Sequence, residues 1–246
     1  SGQGLRNLSG TESITDATED EHAGEMLQVM EMWQKSKDFQ DLLYYDPLLD
    51  IAGSLIGENI QLFHDQALYK PAKIGGAVPW HQDNGVVLPE ADETNMLTVW
   101  FPLTRATVKN GCLQVIPRSH RDGILHHCRT ISGLEVPDRF LDLDNATPMP
   151  MEPGDVLFLT RRTCHASLPN QSDDVRISFD IRYNPIGQNT GREIFPGFVA
   201  RSRANPHIEL RDPAAWARSW HDARERLAVD NIPHYNRWRV NDGVCA

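Results

Sequence analysis

The chain has 246 residues, of which 40% are hydrophobic and 24% are charged, which is ordinary for a globular protein. This length is enough for one large domain with a sizeable core and does not require two. The formal net charge of −10 argues against a general nucleic-acid binder, because such proteins need a basic face for the phosphate backbone. No apolar run approaches the ~20 residues of a membrane span, and no leader-type segment opens the chain, so we expect no membrane partner.

The charges are unevenly distributed along the chain. Residues 1–50 carry 3 basic and 11 acidic side chains, a net charge of −8, whereas residues 200–246 carry 8 arginines and 6 acids, a net charge of +2. Two solvated surfaces are the simplest interpretation. The alternative is that a late arginine, such as Arg201 or Arg203, reaches an anionic substrate.

The four cysteines, Cys112, Cys128, Cys164 and Cys245, form no Cys-x-x-Cys pair and no dense framework. A disulfide scaffold or a structural zinc site is therefore not expected. We accordingly expect a cytoplasmic protein in a reducing compartment.

The first part of the chain has a helical pattern over about residues 20–57. Large apolar residues recur at helical spacing over residues 20–36, which predicts an amphipathic helix packed on the core. Residues 39–43 and 47–55 are predicted as two more helical pieces. The second begins at a proline, which suits a first turn.

From residue 59 the pattern changes to short segments rich in β-branched and aromatic residues and bounded by Gly, Pro or Asn. We predict strands over residues 60–70, 97–101, 112–116, 155–159 and 175–183. The last segment alternates between apolar and polar residues, which predicts a half-buried strand with Arg176 on its polar side.

Helices followed by many short strands predict an all-β core with flanking helices. The natural architecture for a pocket in such a core is two sheets closed as a jelly roll, the cupin-like double-stranded β-helix. We expect a single domain over residues 1–246, with its jelly-roll core at about residues 59–184 and a helical tail at about residues 212–229. Residues 120–150 are predicted as a lid or loop region.

His81-Gln82-Asp83 is the most informative short motif. A His and an Asp two residues apart on an extended segment point to the same side. With the distant His165 they make two imidazoles and one carboxylate, the facial triad that holds non-heme Fe(II) and leaves positions open. In a chain with 10 histidines a His-x-Asp pair arises easily by chance, so the prediction depends on the whole set.

Arg176 follows His165 on the last predicted strand. Its planar guanidinium fork suits the far carboxylate of a bound keto acid. The alternative is an ordinary surface arginine on a strand.

Four short segments occur in a specific order: residues 80–83 (WHQD), 110–113 (NGCL), 117–120 (PRSH) and 165–167 (HAS), followed by Arg176. In these segments the chain resembles the phytanoyl-CoA dioxygenase family of Fe(II)- and 2-oxoglutarate-dependent oxygenases. The resemblance extends over about residues 60–183, half of the chain. It implies that the predicted domain is an oxygenase.

The resemblance also implies a role for each matching position. His81, Asp83 and His165 match the iron ligands. Arg176 matches the residue that pairs with the distal carboxylate of 2-oxoglutarate, and Ser167 matches a hydroxyl that supports it.

Two further positions, Gln66 and Trp100, fall where the family lines the cosubstrate pocket. Each has a structural alternative. Trp100 lies in an apolar strand and would be a core residue in most proteins. Gln66 could instead satisfy backbone groups, and Ser167 could be a turn hydroxyl.

The resemblance implies a hydroxylase of a small organic molecule that uses Fe(II), 2-oxoglutarate and dioxygen, releases succinate and carbon dioxide, and takes ascorbate as a candidate reductant. Halogenases of the family lack the carboxylate ligand, so Asp83 favours hydroxylation, desaturation or oxidative demethylation. Two alternatives stay open: a metal enzyme on the same barrel that needs no keto acid, and a non-catalytic small-molecule binding domain. The substrate and the oligomeric state are not encoded in any motif.

Overall fold

Thirteen strands and three α-helices occur in the part of the chain that the computed structural model describes, which is residues 5–7, 26–130, 133–191, 197–229, 237–239 and 242–245. The helices are α1 (Lys37–Leu43), α2 (Asp46–Ile56) and α3 (Pro213–Val229). The strands are β1 (Leu5–Asn7), β2 (Leu27–Met30), β3 (Asn59–Lys70), β4 (Val78–His81), β5 (Leu97–Pro102), β6 (Leu113–Val115), β7 (Cys128–Thr130), β8 (Gly133–Glu135), β9 (Thr147–Met149), β10 (Leu157–Thr160), β11 (His165–Ser167), β12 (Arg176–Pro185) and β13 (Phe198–Ser202).

Two antiparallel sheets carry the architecture. The large sheet has the order β1-β2-β3-β12-β5-β10, with β13 also paired to β3, and the small sheet has the order β4-β11-β6-β9. A separate hairpin of β7 and β8 is anchored to the small sheet, where the Val136 N–H donates to the Trp80 carbonyl over 2.7 Å. This is the predicted all-β core with flanking helices.

Alternate residues of strand β12 face the two sides of the large sheet. Phe179, Ile181 and Tyr183 belong to the main hydrophobic cluster, which also includes side chains of α1, α2 and α3. Residues on the alternate positions, such as Arg176 and Asp180, line a cavity between the sheets. The prediction of a half-buried strand is therefore wrong: its polar side is buried too, because the second sheet covers it.

The N-terminal segment departs from its prediction. Residues 20–25 lie outside the described residues, residues 27–30 form β2 against β3, and Met32–Gln34 is one 3-10 turn. The helix predicted over residues 20–36 is wrong, because the edge of β3 supplies ladder partners that local periodicity cannot register. Glu31, in the left-handed region at φ 56°, separates strand from turn.

The other predicted helices are confirmed. Helix α1 starts earlier than predicted because the Ser36 hydroxyl accepts from the Asp38 N–H over 3.1 Å as an N-cap. Helix α3 packs on the core through Trp216, whose ring stacks on Trp33 at a centroid distance of 4.1 Å. No helix in the described ranges is long and apolar enough to cross a membrane.

The region predicted as a lid or loop, residues 120–150, contains the three short strands β7, β8 and β9. It also holds Cys128, which forms a disulfide with Cys245, at an S–S distance of 2.07 Å. The sequence analysis did not predict this single bond, because the two partners are 117 residues apart and only the fold brings them together. Cys112 and Cys164 are free and buried.

Candidate metal and cosubstrate site

A cavity of about 210 Å³ lies between the two sheets. Its walls come from β2, β3, β5, β10 and β12 of the large sheet and from β4, β6 and β11 of the small sheet. Six of the seven residues predicted to form the site line this cavity, namely Gln66, His81, Trp100, His165, Ser167 and Arg176.

The seventh residue, Asp83, joins two of these in a cluster of metal-binding groups. His81 ends β4 and His165 begins β11, and the antiparallel pairing of these strands puts the two residues directly opposite each other. Asp83 follows in a 3-10 turn. One ligand atom from each of the three residues lies within 4.8 Å of the other two, so the set predicted from spacing is brought together.

Both imidazoles are oriented by backbone carbonyls two residues earlier in the chain. Nδ1 of His81 donates to the Pro79 carbonyl and Nδ1 of His165 to the Thr163 carbonyl, each over 2.9 Å. This fixes the tautomer that leaves Nε2 available for a metal. Burial, and then the neighbouring His165, lower the pKa of His81 to about 3, so its imidazole is neutral as a metal ligand must be.

The Asp83 carboxylate is held by two residues that sequence reasoning missed. Arg182 Nη2 donates to Oδ1 over 2.7 Å, and Thr98 Oγ1 donates to Oδ2 over 2.5 Å. Burial raises the pKa of Asp83, but Arg182 and the two histidines outweigh it and hold the pKa well below its usual range. The carboxylate is therefore ionised. The sequence did contain a signal for Arg182: the alternation of residues on β12 puts it on the same face as Arg176.

Gln82, between two of the clustered residues, points away from them and is fully buried. Its backbone N–H donates to His127 Nε2 over 3.0 Å, and its side-chain amide donates to the carbonyls of Gly123 and Arg162. These bonds pin the turn that carries Asp83. A Cβ at Gly85 would overlap the His127 ring, so this position requires glycine.

The C-terminal segment packs against the same turn. Trp238 Nε1 donates to the Gly85 carbonyl over 2.6 Å, and the Trp238 ring stacks on His127 at a centroid distance of 5.4 Å. Arg237 Nε donates to the Val87 carbonyl over 3.0 Å. The disulfide of Cys245 holds the end of this segment to β7.

Arg176 makes one part of the cavity wall cationic. Arg176 is fully buried and its Nη1 donates to Ser178 over 2.5 Å, while Nε and Nη2 have no partner among the described residues. The Ser167 hydroxyl and the Trp100 indole N–H are likewise buried without a partner. Since buried polar groups are nearly always hydrogen-bonded, these atoms fit an anionic ligand such as the distal carboxylate of 2-oxoglutarate.

Lys70 lies directly opposite Arg176 on β3 and is also fully buried. Burial, and then the charge of Arg176, lower the pKa of Lys70 to about 6. The amine donates to the carbonyls of Gly76 and Leu168, at 2.6 and 2.5 Å. Burial lowers the pKa of Arg176 only to about 10, so the arginine carries the positive charge at this end.

Two other predictions are resolved by contacts. Gln66 does not satisfy backbone groups: its amide donates to Asp180 Oδ2 over 3.0 Å inside the cavity. Arg201 binds the carboxylates of Asp46 and Asp50, each over 2.5 Å, and does not line the cavity. The idea that a late arginine reaches the substrate of this cavity is therefore not supported.

The model of the family described as phytanoyl-CoA dioxygenase matches residues 5–178. Methylphosphonate hydroxylase of Gimesia maris is 31% identical over 198 residues, which is 80% of this chain and 68% of that protein. The 1-deoxypentalenic acid 11-beta-hydroxylase of Streptomyces arenae is 30% identical over 171 residues, 62% of this chain and 59% of that protein.

Solved structures have the same fold at lower identity. EvdO2 from Micromonospora carbonacea var. aurantiaca, complexed with 2-oxoglutarate, has a TM-score of 0.59 and 24% identity, covering 79% of this chain and 76% of that chain. The epimerase SnoN in complex with Fe3+, alpha ketoglutarate and nogalamycin RO has a TM-score of 0.57 and 20% identity, covering 84% and 77%. The predicted jelly roll is thereby confirmed, and so are the predicted enzyme class and its use of Fe(II), 2-oxoglutarate and dioxygen. Since the family model spans more than half of it, the chain belongs to the phytanoyl-CoA dioxygenase family of Fe(II)- and 2-oxoglutarate-dependent oxygenases.

Proposed function

We propose that this chain, as one oxygenase domain over residues 1–246, hydroxylates a small organic molecule with His81, Asp83 and His165 as the iron ligands. One observation carries the proposal. The three clustered side chains and the two N–H groups of Arg176 that have no partner among the described residues line or adjoin one cavity between the sheets. A metal and a dicarboxylate would satisfy both ends at once.

Some residues would hold the metal, and others would orient the cosubstrate. Bound iron with 2-oxoglutarate and dioxygen supplies the oxidising chemistry, with release of succinate and carbon dioxide. His81 and His165 present Nε2, and Asp83 presents a carboxylate oxygen. Arg176 pairs with the distal carboxylate through Nε and Nη2, and Ser167 donates its hydroxyl to the same group.

Part of the cavity wall is apolar and would favour the exclusion of water from this site. Leu68, Val78, Leu113 and Leu159 line it from four different strands. A dry pocket strengthens every charge interaction within it and suppresses side reactions of the oxidant. The intact Asp83 favours transfer of oxygen rather than halogen, because its carboxylate occupies the position that a halide would need.

The competing proposal of a metal enzyme without a keto acid leaves Arg176 unexplained. Such an enzyme would need the triad, but not a fully buried guanidinium on the cavity wall with two N–H groups that lack a partner in the described part of the chain. The two named relatives act on different molecules, so membership of the family does not define the substrate.

Succinate formation tests the proposal. The purified chain, loaded anaerobically with Fe(II) and then supplied with 2-oxoglutarate, ascorbate and dioxygen, should release succinate above a metal-free control. Replacement of His165 by Ala should abolish the release, whereas the exposed His207→Ala should not change it. Absence of succinate from iron-loaded protein, with and without candidate substrates, would contradict the proposal.

The compartment is a separate proposal. We infer a cytoplasmic protein because the four cysteines form no dense framework, whereas the Cys128–Cys245 disulfide favours an oxidising compartment. Thiol labelling of the chain in intact cells, followed by mass spectrometry, reads the state of Cys128 and Cys245 directly. Two labelled thiols agree with the cytoplasm, and a protected pair places the chain in an oxidising compartment.

A further inference from the structure

The cavity has a second polar end, formed by Asp180 and Arg182. Both lie on β12, on the same face as Arg176 and on the cavity wall. Asp180 is four residues from Arg176, which on a strand corresponds to ~13 Å between Cα atoms. The distal carboxylate at Arg176 therefore lies away from this pair, and the keto-acid end of the cosubstrate, which would bind the metal, has no proton to donate to Asp180.

Each of the two side chains is only partly satisfied. Asp180 accepts from Gln66 on Oδ2 over 3.0 Å, while its Oδ1 is buried without a partner in the described part of the chain. Arg182 uses Nη2 on Asp83, and its Nε is buried and similarly without a partner. Buried atoms of this kind are rare in folded proteins. One orphaned acceptor and one orphaned donor thus occur two residues apart on one cavity wall.

A metal ion bound at the three clustered residues would not satisfy these two atoms. A metal takes the imidazole Nε2 atoms and an oxygen of Asp83, and none of these is Asp180 Oδ1 or Arg182 Nε. Neither the metal nor 2-oxoglutarate supplies a donor for Asp180 Oδ1, whereas a substrate group can.

We propose, resting on the proposed function, that Asp180 and Arg182 bind a hydroxyl group of the substrate. A hydroxyl donates one hydrogen bond and accepts others, so it can donate to Asp180 Oδ1 and accept from Arg182 Nε. An ammonium group can only donate, and a carboxylate or ionised phosphonate can only accept and is repelled by Asp180. A hydroxyl is therefore a group that matches both atoms.

The remaining wall suits the carbon skeleton of a small alcohol. Met26, Met30, Leu68 and Val86 also line the cavity. Flexible methionine side chains adapt to irregular aliphatic shapes. The volume of about 210 Å³ has to hold the cosubstrate as well, so the skeleton is short.

A set of probes with one skeleton tests the proposal without turnover. The chain is loaded with Zn2+ in place of iron and saturated with 2-oxoglutarate, and binding of butan-1-ol, butyl methyl ether, butylamine, butyrate and butylphosphonate is measured by NMR titration. The alcohol should bind most tightly, on the order of tenfold better than the ether, since the ether cannot donate to Asp180. Equal binding of alcohol and ether, or tighter binding of either anion, would overturn the proposal.

Substitution of Asp180 by Asn gives a sharper result. The amide keeps the shape, but with its oxygen on Gln66 it turns an NH₂ group toward the substrate, so the alcohol should lose its advantage over the acceptor-only ether. The exposed Asp144→Asn is the matched control and should keep the wild-type order. An unchanged order in Asp180→Asn contradicts the proposal. Succinate release by the iron-loaded wild type separates this failure from failure of the proposed function.

Discussion

Arg182 donates a hydrogen bond to Asp83 over 2.7 Å, although the two residues are 99 positions apart in the chain. They meet because β12 lies beside β5, whose Thr98 is the register partner of Arg182 and the second donor to Asp83. The carboxylate is therefore aimed by two strands of the large sheet, whereas the imidazoles come from the small sheet. The candidate iron site joins the two sheets.

Loss of this contact should weaken metal binding. In Arg182→Gln the Asp83 carboxylate loses its charged partner and its fixed orientation, and we expect a ~10–100-fold lower affinity for Fe(II). Anaerobic titration of the apoprotein measures it. Arg218→Gln, which changes an exposed arginine on α3, is the control. Equal affinities in the two variants would contradict the role of Arg182.

Replacement of Asp83 by Ala should abolish hydroxylation. The site then keeps two imidazoles and loses the ligand whose charge offsets that of the metal. Product analysis by mass spectrometry with the iron-loaded variant measures the effect, and the exposed Asp144→Ala should retain activity. If hydroxylated product still formed with Asp83→Ala, this residue would not be an iron ligand.

Arg176→Ala should raise the KM for 2-oxoglutarate by roughly 100-fold, since charge-assisted hydrogen bonds to a buried carboxylate contribute about 1.5–3 kcal/mol each. Succinate formation at increasing 2-oxoglutarate concentrations measures it. Arg203→Ala, an exposed arginine outside the cavity, is the control. An unchanged requirement for 2-oxoglutarate in Arg176→Ala would refute the cosubstrate assignment.

Lys70 should make the stability of the apoprotein depend on pH. Its pKa is lowered to about 6 by burial, so between pH 6 and the ordinary lysine value the unfolded chain binds a proton that the folded chain does not. The free energy of unfolding therefore rises with pH because of this group, by at most about 1.4 kcal/mol per pH unit. Urea unfolding from pH 6 to 9 should show this slope in the wild type.

Lys70→Met removes the titrating group and should flatten the slope, even though it leaves two carbonyls without their donor. Lys73→Met, an exposed lysine nearby in the chain, should keep it. A slope that survives in Lys70→Met would assign the pH dependence to other groups.

The disulfide between Cys128 and Cys245 should stabilise the folded chain by constraining the unfolded one. It closes a long loop, and its loss is expected to cost roughly 2–5 kcal/mol. Thermal unfolding of Cys245→Ser, Cys128→Ser and the double variant checks this. The three variants should have equal Tm values below that of the wild type, and additive losses would show that the bond is not the cause.

Much of the local structure was predictable from residue patterns. Helices α1, α2 and α3 and strands β3, β5, β6, β10 and β12 were found because helix and strand periods are local properties of a segment. Segment 27–30 was misassigned because four residues carry too little periodicity to distinguish a helix from an edge strand. Its identity as β2 depends on the exposed ladder of β3.

The sequence by itself determined which groups are candidates for the chemistry: the His-x-Asp pair, His165 and Arg176 are recognisable from residue type, order and spacing. Only the tertiary structure decided what surrounds them. The contact of Arg182 with Asp83, the orphaned oxygen of Asp180 and the Cys128–Cys245 bond all join strands or segments far apart in the chain. The strands that lie side by side set the hydrogen-bond partners and the burial of each side chain. No local sequence pattern encodes which strands become neighbours.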